Sequence, residues 1–244
     1  ETVLHAAVNS GEIEMVQLAL ERQASIEATQ NNLANPLHYA CTKGDLDIVK
    51  LLLEMRPESG EDVLLMADSN GHSPLHIAAM YNHTKIVTLL VEQGSYLEMK
   101  DALGLTPLLL AAMKSLPECV SELIKLGADP KAKDQQDRNI MHLIVITPNV
   151  KGRKITSILT EAALIETMIN EQDVFGCTPL HYAAQNGLTN TLERMITMGA
   201  LCTEHNLDRE TALHYAVKFE KVETVAALLD TEQGIRAMNA SDLQ

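Results

Sequence analysis

The stretch from Asp173 to Gly187, D-V-F-G-C-T-P-L-H-Y-A-A-Q-N-G, recurs in altered form along the whole chain. A chain assembled from one short motif has few folds open to it. Gly176 permits a turn that a residue with a Cβ would resist. Thr178 followed by Pro179 reads as a helix cap with proline at the first helical position, where its missing N–H costs nothing. Ala183 and Ala184 keep one helix side thin enough for a neighbour to approach, and Gly187 ends the helix.

Aligned on its histidine, the motif appears at His5, His38, His76, His142, His181 and His214, with Leu109 in the slot once. The separations are 33, 38, 33, 33, 39 and 33 residues. A period of 33 with T-P-L-H-x-A resembles the ankyrin repeat, a hairpin turn followed by two antiparallel helices. The expected fold is an all-α ankyrin-repeat solenoid of about seven repeats. They fall near 1–33, 34–66, 67–100, 101–133, 134–172, 173–205 and 206–241 of a single stack. The two longer spacings mark insertions after repeats two and five.

Hydrophobic residues at 46% suffice for a continuous core, but aromatics at 3% and no Trp leave it to aliphatic side chains. A net charge of -14 argues against nucleic acid or a bare anionic membrane surface as the main partner. Cys41, Cys119, Cys177 and Cys202 form no C-x-x-C, which fits a reducing compartment. No apolar run is long enough to span a bilayer, so no membrane insertion is expected of this segment. The opening E-T-V-L-H-A-A and closing N-A-S-D-L-Q read as parts of flanking repeats, so the chain reads as a fragment of a longer protein.

Within the repeats, Gly44 to Leu53 reads as an outer helix with Asp45 in its first turn, and Glu54 to Ala67 carries five extra residues. Repeat five is irregular. N-I-M-H-L-I-V-I-T-P from Asn139 to Pro148 is β-branched and proline-stopped, a poor helix former. Helix is nevertheless expected over His142–Ile146, a loop over Lys151–Lys154 and an outer helix over Thr160–Ile169. This repeat is expected to be the most mobile.

Six slot histidines spread over a stack at about 10 Å per repeat cannot converge on one ion. The residues expected to hold the repeats together are His5, His38, His76, His142, His181 and His214, with Thr106, Pro107, Thr178, Pro179 and Thr211. Each ring is expected to bond to cap and hairpin backbone, fixing one repeat against the next. His72, His83 and His205 read as surface residues. No nucleophile elbow, zinc motif, phosphate loop or calcium loop occurs, so no catalytic residue, metal or cofactor is expected.

Two features suggest contacts. Apolar residues at the hairpin tips, Leu33, Leu103, Leu105, Val174 and Phe175, form a candidate interaction surface for a protein partner. Lys125, Lys131, Lys133, Arg138, Lys151, Arg153 and Lys154 give the 125–154 window a charge of +4 against -18 elsewhere, a candidate basic patch. Cys177, just before a helix N-terminus, is a possible reactive thiol.

The order of irregularities resembles the ankyrin domain of the transient receptor potential ankyrin-type cation channels, in an invertebrate form. The matching features are the loop before S-P-L-H-I-A-A, the histidine-free T-P-L-L-L-A-A, D-x-x-x-R-N-I-M-H-L with its proline-containing insertion, D-V-F-G-C-T-P-L-H-Y-A-A, and the closing G-I-R-A-M-N-A-S-D-L-Q. The resemblance implies a cytoplasmic interaction and coupling arm of a homotetrameric, calcium-permeable channel gated by chemicals or temperature. Its partners would be the rest of that polypeptide and neighbouring subunits, below the plasma membrane. Cys177 matches a family cysteine and Ala184 replaces another. Read without the resemblance, the same repeats fit a soluble adaptor or scaffold.

Overall fold

The structure, a computed structural model, describes residues 2–55, 62–147, 152–161 and 164–239, with the side chains of 152–154, 160, 161 and 239 set aside. The described residues form sixteen helices and no strand. In chain order these are α1 (Val3–Ser10), α2 (Ile13–Glu21), α3 (Pro36–Lys43), α4 (Leu46–Glu54), α5 (Pro74–Met80), α6 (Thr84–Glu92), α7 (Pro107–Met113) and α8 (Pro117–Lys125). Then follow α9 (Ile140–Ile146), α10 (Gly152–Glu161), α11 (Ile165–Met168), α12 (Pro179–Gln185), α13 (Thr189–Thr197), α14 (Ala212–Lys218), α15 (Val222–Leu229) and α16 (Glu232–Asn239). Packing divides the chain into two compact units, Glu1–Ala111 with Glu118–Asp129, and Ala112–Pro117 with Pro130–Gln244.

In the first unit the inner helices α1, α3 and α5 pack in sequence order, and α2, α4 and α6 each back onto their own inner helix. In the second unit α9, α12 and α14 form the inner row, backed by α10, α13 and α15. The motif leucine before each slot residue, Leu4, Leu37, Leu75, Leu108, Leu180 and Leu213, is buried. Each such side chain contributes about 2 kcal/mol through removal from water.

Inner helices start as the sequence dictates. Thr2, Asn35, Ser73, Asn139, Thr178 and Thr211 are N-caps, and proline follows at 36, 74 and 179. Gln23 takes the left-handed φ of 62° where a glycine would be usual. Asp45 is the N-cap of α4 rather than a residue of its first turn, and its carboxylate accepts from Asp47 and Ile48 N–H.

Repeat five has the inner helix expected over His142–Ile146 but departs from expectation after it. Its β-branched run forms α9 over seven residues, capped by Asn139 and buried from Ile140 to Val145. Burial on all sides overrides the weak propensity. The loop expected at Lys151–Lys154 is instead the start of α10 from Gly152, and Lys151 lies outside the described residues. The outer helix expected over Thr160–Ile169 is α10 ending at Glu161, and a separate turn, α11, fills the insertion. In the other insertion, Val63 and Leu64 lie in a turn and are buried.

Candidate functional site

The slot histidines form one repeated bridge. Nε2 meets the carbonyl oxygen of the residue before the next repeat's N-cap: His5 to Ala34 at 3.1 Å, His38 to His72 at 2.9 Å and His76 to Leu105 at 3.0 Å in the first unit. In the second unit His142 reaches Cys177 at 3.0 Å and His181 reaches Glu210 at 3.1 Å. A carbonyl only accepts, so Nε2 carries the hydrogen and Nδ1 is left to accept. The N-cap backbone N–H donates to Nδ1 at His38, His76, His142, His181 and His214, at 3.0–3.3 Å.

The bridge is built for a neutral ring. Burial pushes His76 and His142 down to about 4 and lowers His38 and His181 as well. In repeat four the slot is fully buried Leu109, and Thr106 still caps by accepting from Leu109 N–H at 3.3 Å, ahead of Pro107. That repeat packs without the polar link.

A second link runs through the turns. Five turns open on Asp68, Asp101, Asp134, Asp173 and Asn206, whose Oδ1 accepts backbone N–H two and four residues on. Asp101, Asp134 and Asp173 are therefore buried carboxylates. Successive turns are stitched backbone to backbone. Ser69 donates to Asn32 at 2.8 Å and Ala102 to Asn70 at 3.0 Å in the first unit. In the second, Val174 donates to Gln136 and Leu207 to Phe175, both at 3.0 Å.

This stitching raises the turn tips as rows. Leu33, Leu103, Val174 and Phe175 stand 44–60% exposed. Leu105 does not join them: it is buried, and its carbonyl receives His76. Leu207, at the position equivalent to Val174, is 77% exposed and was identifiable from its place after the turn-opening Asn206. Tyr215 lies on α14 behind that turn and Phe219 is the C-cap of the same helix, with ring centroids 6.0 Å apart, and the Tyr215 hydroxyl meets Asn206 at 3.2 Å.

Four of the seven basic residues, Lys125, Lys131, Lys133 and Arg138, have described side chains. Lys125 belongs to the first unit and pairs with Glu122 at 3.6 Å. In the second unit Lys133 pairs with Glu171 at 3.2 Å and Arg138 with Asp134 at 2.6 Å, and Lys131 is also engaged. Lys151 and the side chains of Arg153 and Lys154 fall outside the described residues. Cys177 is buried, its Sγ lies 3.2 Å from the Tyr215 hydroxyl, and burial pushes its thiol up. That environment opposes the thiolate a reactive cysteine needs. Among the described residues no group of histidine, cysteine and acidic side chains is placed to hold a metal, and no helix is long and apolar enough to cross a membrane.

Two ties escaped the sequence. Asn35 and Asn139 are the N-caps of the repeats that carry the long spacings, and each donates its side-chain amide into the following insertion. Asn35 Nδ2 reaches the Val63 carbonyl at 3.2 Å, and Asn139 Nδ2 reaches that of Met168 at 2.9 Å. The signal was present: Asn replaces Ser or Thr before the 38- and 39-residue spacings.

Comparison with known proteins agrees with this geometry. The family described as ankyrin repeats (3 copies) matches residues 1–65, 58–134 and 137–239. The chain is 38% identical over 245 residues to the transient receptor potential cation channel subfamily A member 1 of Drosophila melanogaster, covering 98% of this chain and 20% of that protein. Its similarity to the Homo sapiens protein of the same name is 28% over 242 residues, covering 99% and 21%. The Caenorhabditis elegans homolog is 26% identical over 242 residues, covering 99% and 16%. The chain thus spans about a fifth of the length of these relatives. With caps, histidine bridges and stitched turns repeating at the ankyrin period, the chain belongs to the ankyrin-repeat family.

Proposed function

We propose that this chain is a non-catalytic coupling arm of a transient receptor potential ankyrin-type channel, placed on the cytoplasmic side of the plasma membrane. The observation that carries the reading is the similarity to the Drosophila channel, 38% identity over 245 residues covering 98% of the chain. In the parent protein, on this reading, homotetramers pass calcium and other cations in response to chemical or thermal stimuli. The arm supplies no pore residue. It acts by transmitting displacement, because neighbouring repeats are tied by histidine bridges, stitched turns and continuous apolar packing.

Contact with the rest of the polypeptide or with a neighbouring subunit is assigned to the exposed turn row of the second unit, Val174, Phe175 and Leu207. Aromatic side chains such as Phe175 are enriched at interfaces, and the exposed apolar side chains beside it extend the patch. A photo-crosslinking amino acid at Phe175 of the full-length protein tests this. Crosslinks to the same polypeptide or to a sister subunit support the arm; crosslinks confined to an unrelated soluble protein make the chain an adaptor.

A further inference from the structure

The turn-opening carboxylates differ in what answers their second oxygen. Asp134 Oδ2 is held by the guanidinium of Arg138, at 2.7 Å from Nε and 2.6 Å from Nη2, a permanent cation. Asp173 Oδ2 takes the hydroxyl of Tyr182, a neutral donor. Repeat seven avoids the charge by using Asn206. Repeats three and four share one imidazole between them. His72 Nδ1 lies 3.5 Å from Asp68 Oδ2 and Nε2 lies 3.4 Å from Asp101 Oδ2, with the ring largely enclosed and the Asp101 carboxylate buried.

A neutral imidazole has one N–H and one lone pair, so it can satisfy only one of those two carboxylates. The other then faces a lone pair. A second proton turns the ring into a donor at both nitrogens, and each contact becomes charge-assisted. We propose that His72 is a proton-operated clasp that ties the turn of repeat three to the turn of repeat four.

The surrounding groups leave this proton to His72. The neighbouring His76 ring, 5.9 Å away, commits Nε2 to the Leu105 carbonyl and is pushed down to about 4 by burial. His38 meets His72 only through its backbone carbonyl, and its burial likewise disfavours a charge. Lys100 flanks Asp101 in the chain and is exposed. The backbone of His72 is fixed independently of its ring, because its N–H donates to Asp68 Oδ1 at 2.9 Å and its carbonyl receives His38. The ring can therefore change its bonding without moving the turn. The second ring proton is what engages both carboxylates, so the clasp tightens on acidification. Nothing in the clasp depends on the channel reading.

Hydrogen exchange tests it. The Ala102 amide, bonded to Asn70 across the clasped turns, is compared with the Ser69 amide, bonded to Asn32 across the preceding pair. The ratio of their protection factors, corrected for intrinsic exchange, is measured near pH 5.5 and pH 8. In the unmodified chain Ala102 is expected to gain roughly three- to tenfold over Ser69 at the lower pH, the net worth of one ordinary hydrogen bond. In His72→Asn the ratio is expected to stay flat. Asp101→Asn, which places at repeat four the residue that Asn206 already supplies in repeat seven, should flatten it too and keeps the Oδ1 turn bonds. A ratio that does not change with pH in the unmodified chain, or that changes equally in both variants, overturns the clasp.

Discussion

The side-chain amide of Asn139 donates to the carbonyl of Met168 at 2.9 Å, which ties the cap of α9 to the insertion twenty-nine residues later. The same amide nitrogen meets Glu171 Oε2 at 2.9 Å, while Oδ1 caps α9 through Met141 and His142 N–H. One residue thus does a cap's work and an anchor's work.

Replacing Asn139 by Ser keeps the cap and removes the anchor. We expect Asn139→Ser to cost about 1–2 kcal/mol, because a buried carbonyl is left without its donor. Thr178→Ser, where the cap carries no insertion, should cost only a few tenths. Thermal melts of the two variants separate these outcomes, and equal losses would contradict the anchor.

His142 links two repeats through Cys177 O and receives Asn139 N–H. Leucine at this slot reproduces repeat four sterically but strands both groups. His142→Leu is therefore expected to destabilise by about 2–3 kcal/mol, even though leucine is native at position 109. A denaturant titration reads the change; a neutral result would mean that apolar packing alone holds the repeats.

The buried histidines set a pH dependence. His38, His76, His142 and His181 all have folded values below the ordinary one, because burial disfavours their charged form. The unfolded chain then binds protons that the folded chain does not. Their contribution is fully present above about pH 6.5 and is lost as pH falls towards about 4. For each ring, a tenfold difference in proton affinity between the folded and unfolded chain is worth roughly 1.4 kcal/mol. Stability measured between those limits should fall steadily, and a rise on acidification would contradict the neutral-bridge assignment.

Gly176 has φ 75°, and an added Cβ would lie 2.8 Å from Leu207 N, in the backbone of the next turn. Gly176→Ala should cost more than about 1 kcal/mol, combining left-handed strain with displacement of the stitched turn. Gly199→Ala is the control: its φ is 99°, but nothing lies within 4 Å of the added Cβ. The excess loss at Gly176, read by thermal unfolding, measures the turn contact alone.

Cys177 is buried beside the Tyr215 hydroxyl, with its thiol pushed up. Alkylation near neutral pH should be slow in the folded chain and fast once it is unfolded. Rapid labelling of the folded chain would restore the thiol as a sensing group.

The repeat frame was legible because each repeat restates the same local instructions. Thr178–Pro179 starts a helix, Gly176 makes a turn and His181 supplies two ring nitrogens at fixed positions. The α9 helix was harder, because Ile140, Ile144 and Val145 oppose helix locally and are held there by burial that no window of sequence displays. The α10 start at Gly152 was hidden for a related reason: K-G-R-K looks like a loop when its neighbours are ignored. The clasp at His72 was out of reach because it depends on Asp101, one repeat away, and only the stacked turns bring the two together.

On the proposed reading this chain is the arm of a cation channel. The most direct measurement is whole-cell recording from cells lacking related channels that express the full-length protein, during heating and during exposure to an electrophile. We expect a stimulus-evoked, calcium-carrying cation current whose threshold shifts when His142→Leu loosens the arm. A protein that reaches the cytosol as a soluble product and evokes no current would contradict it.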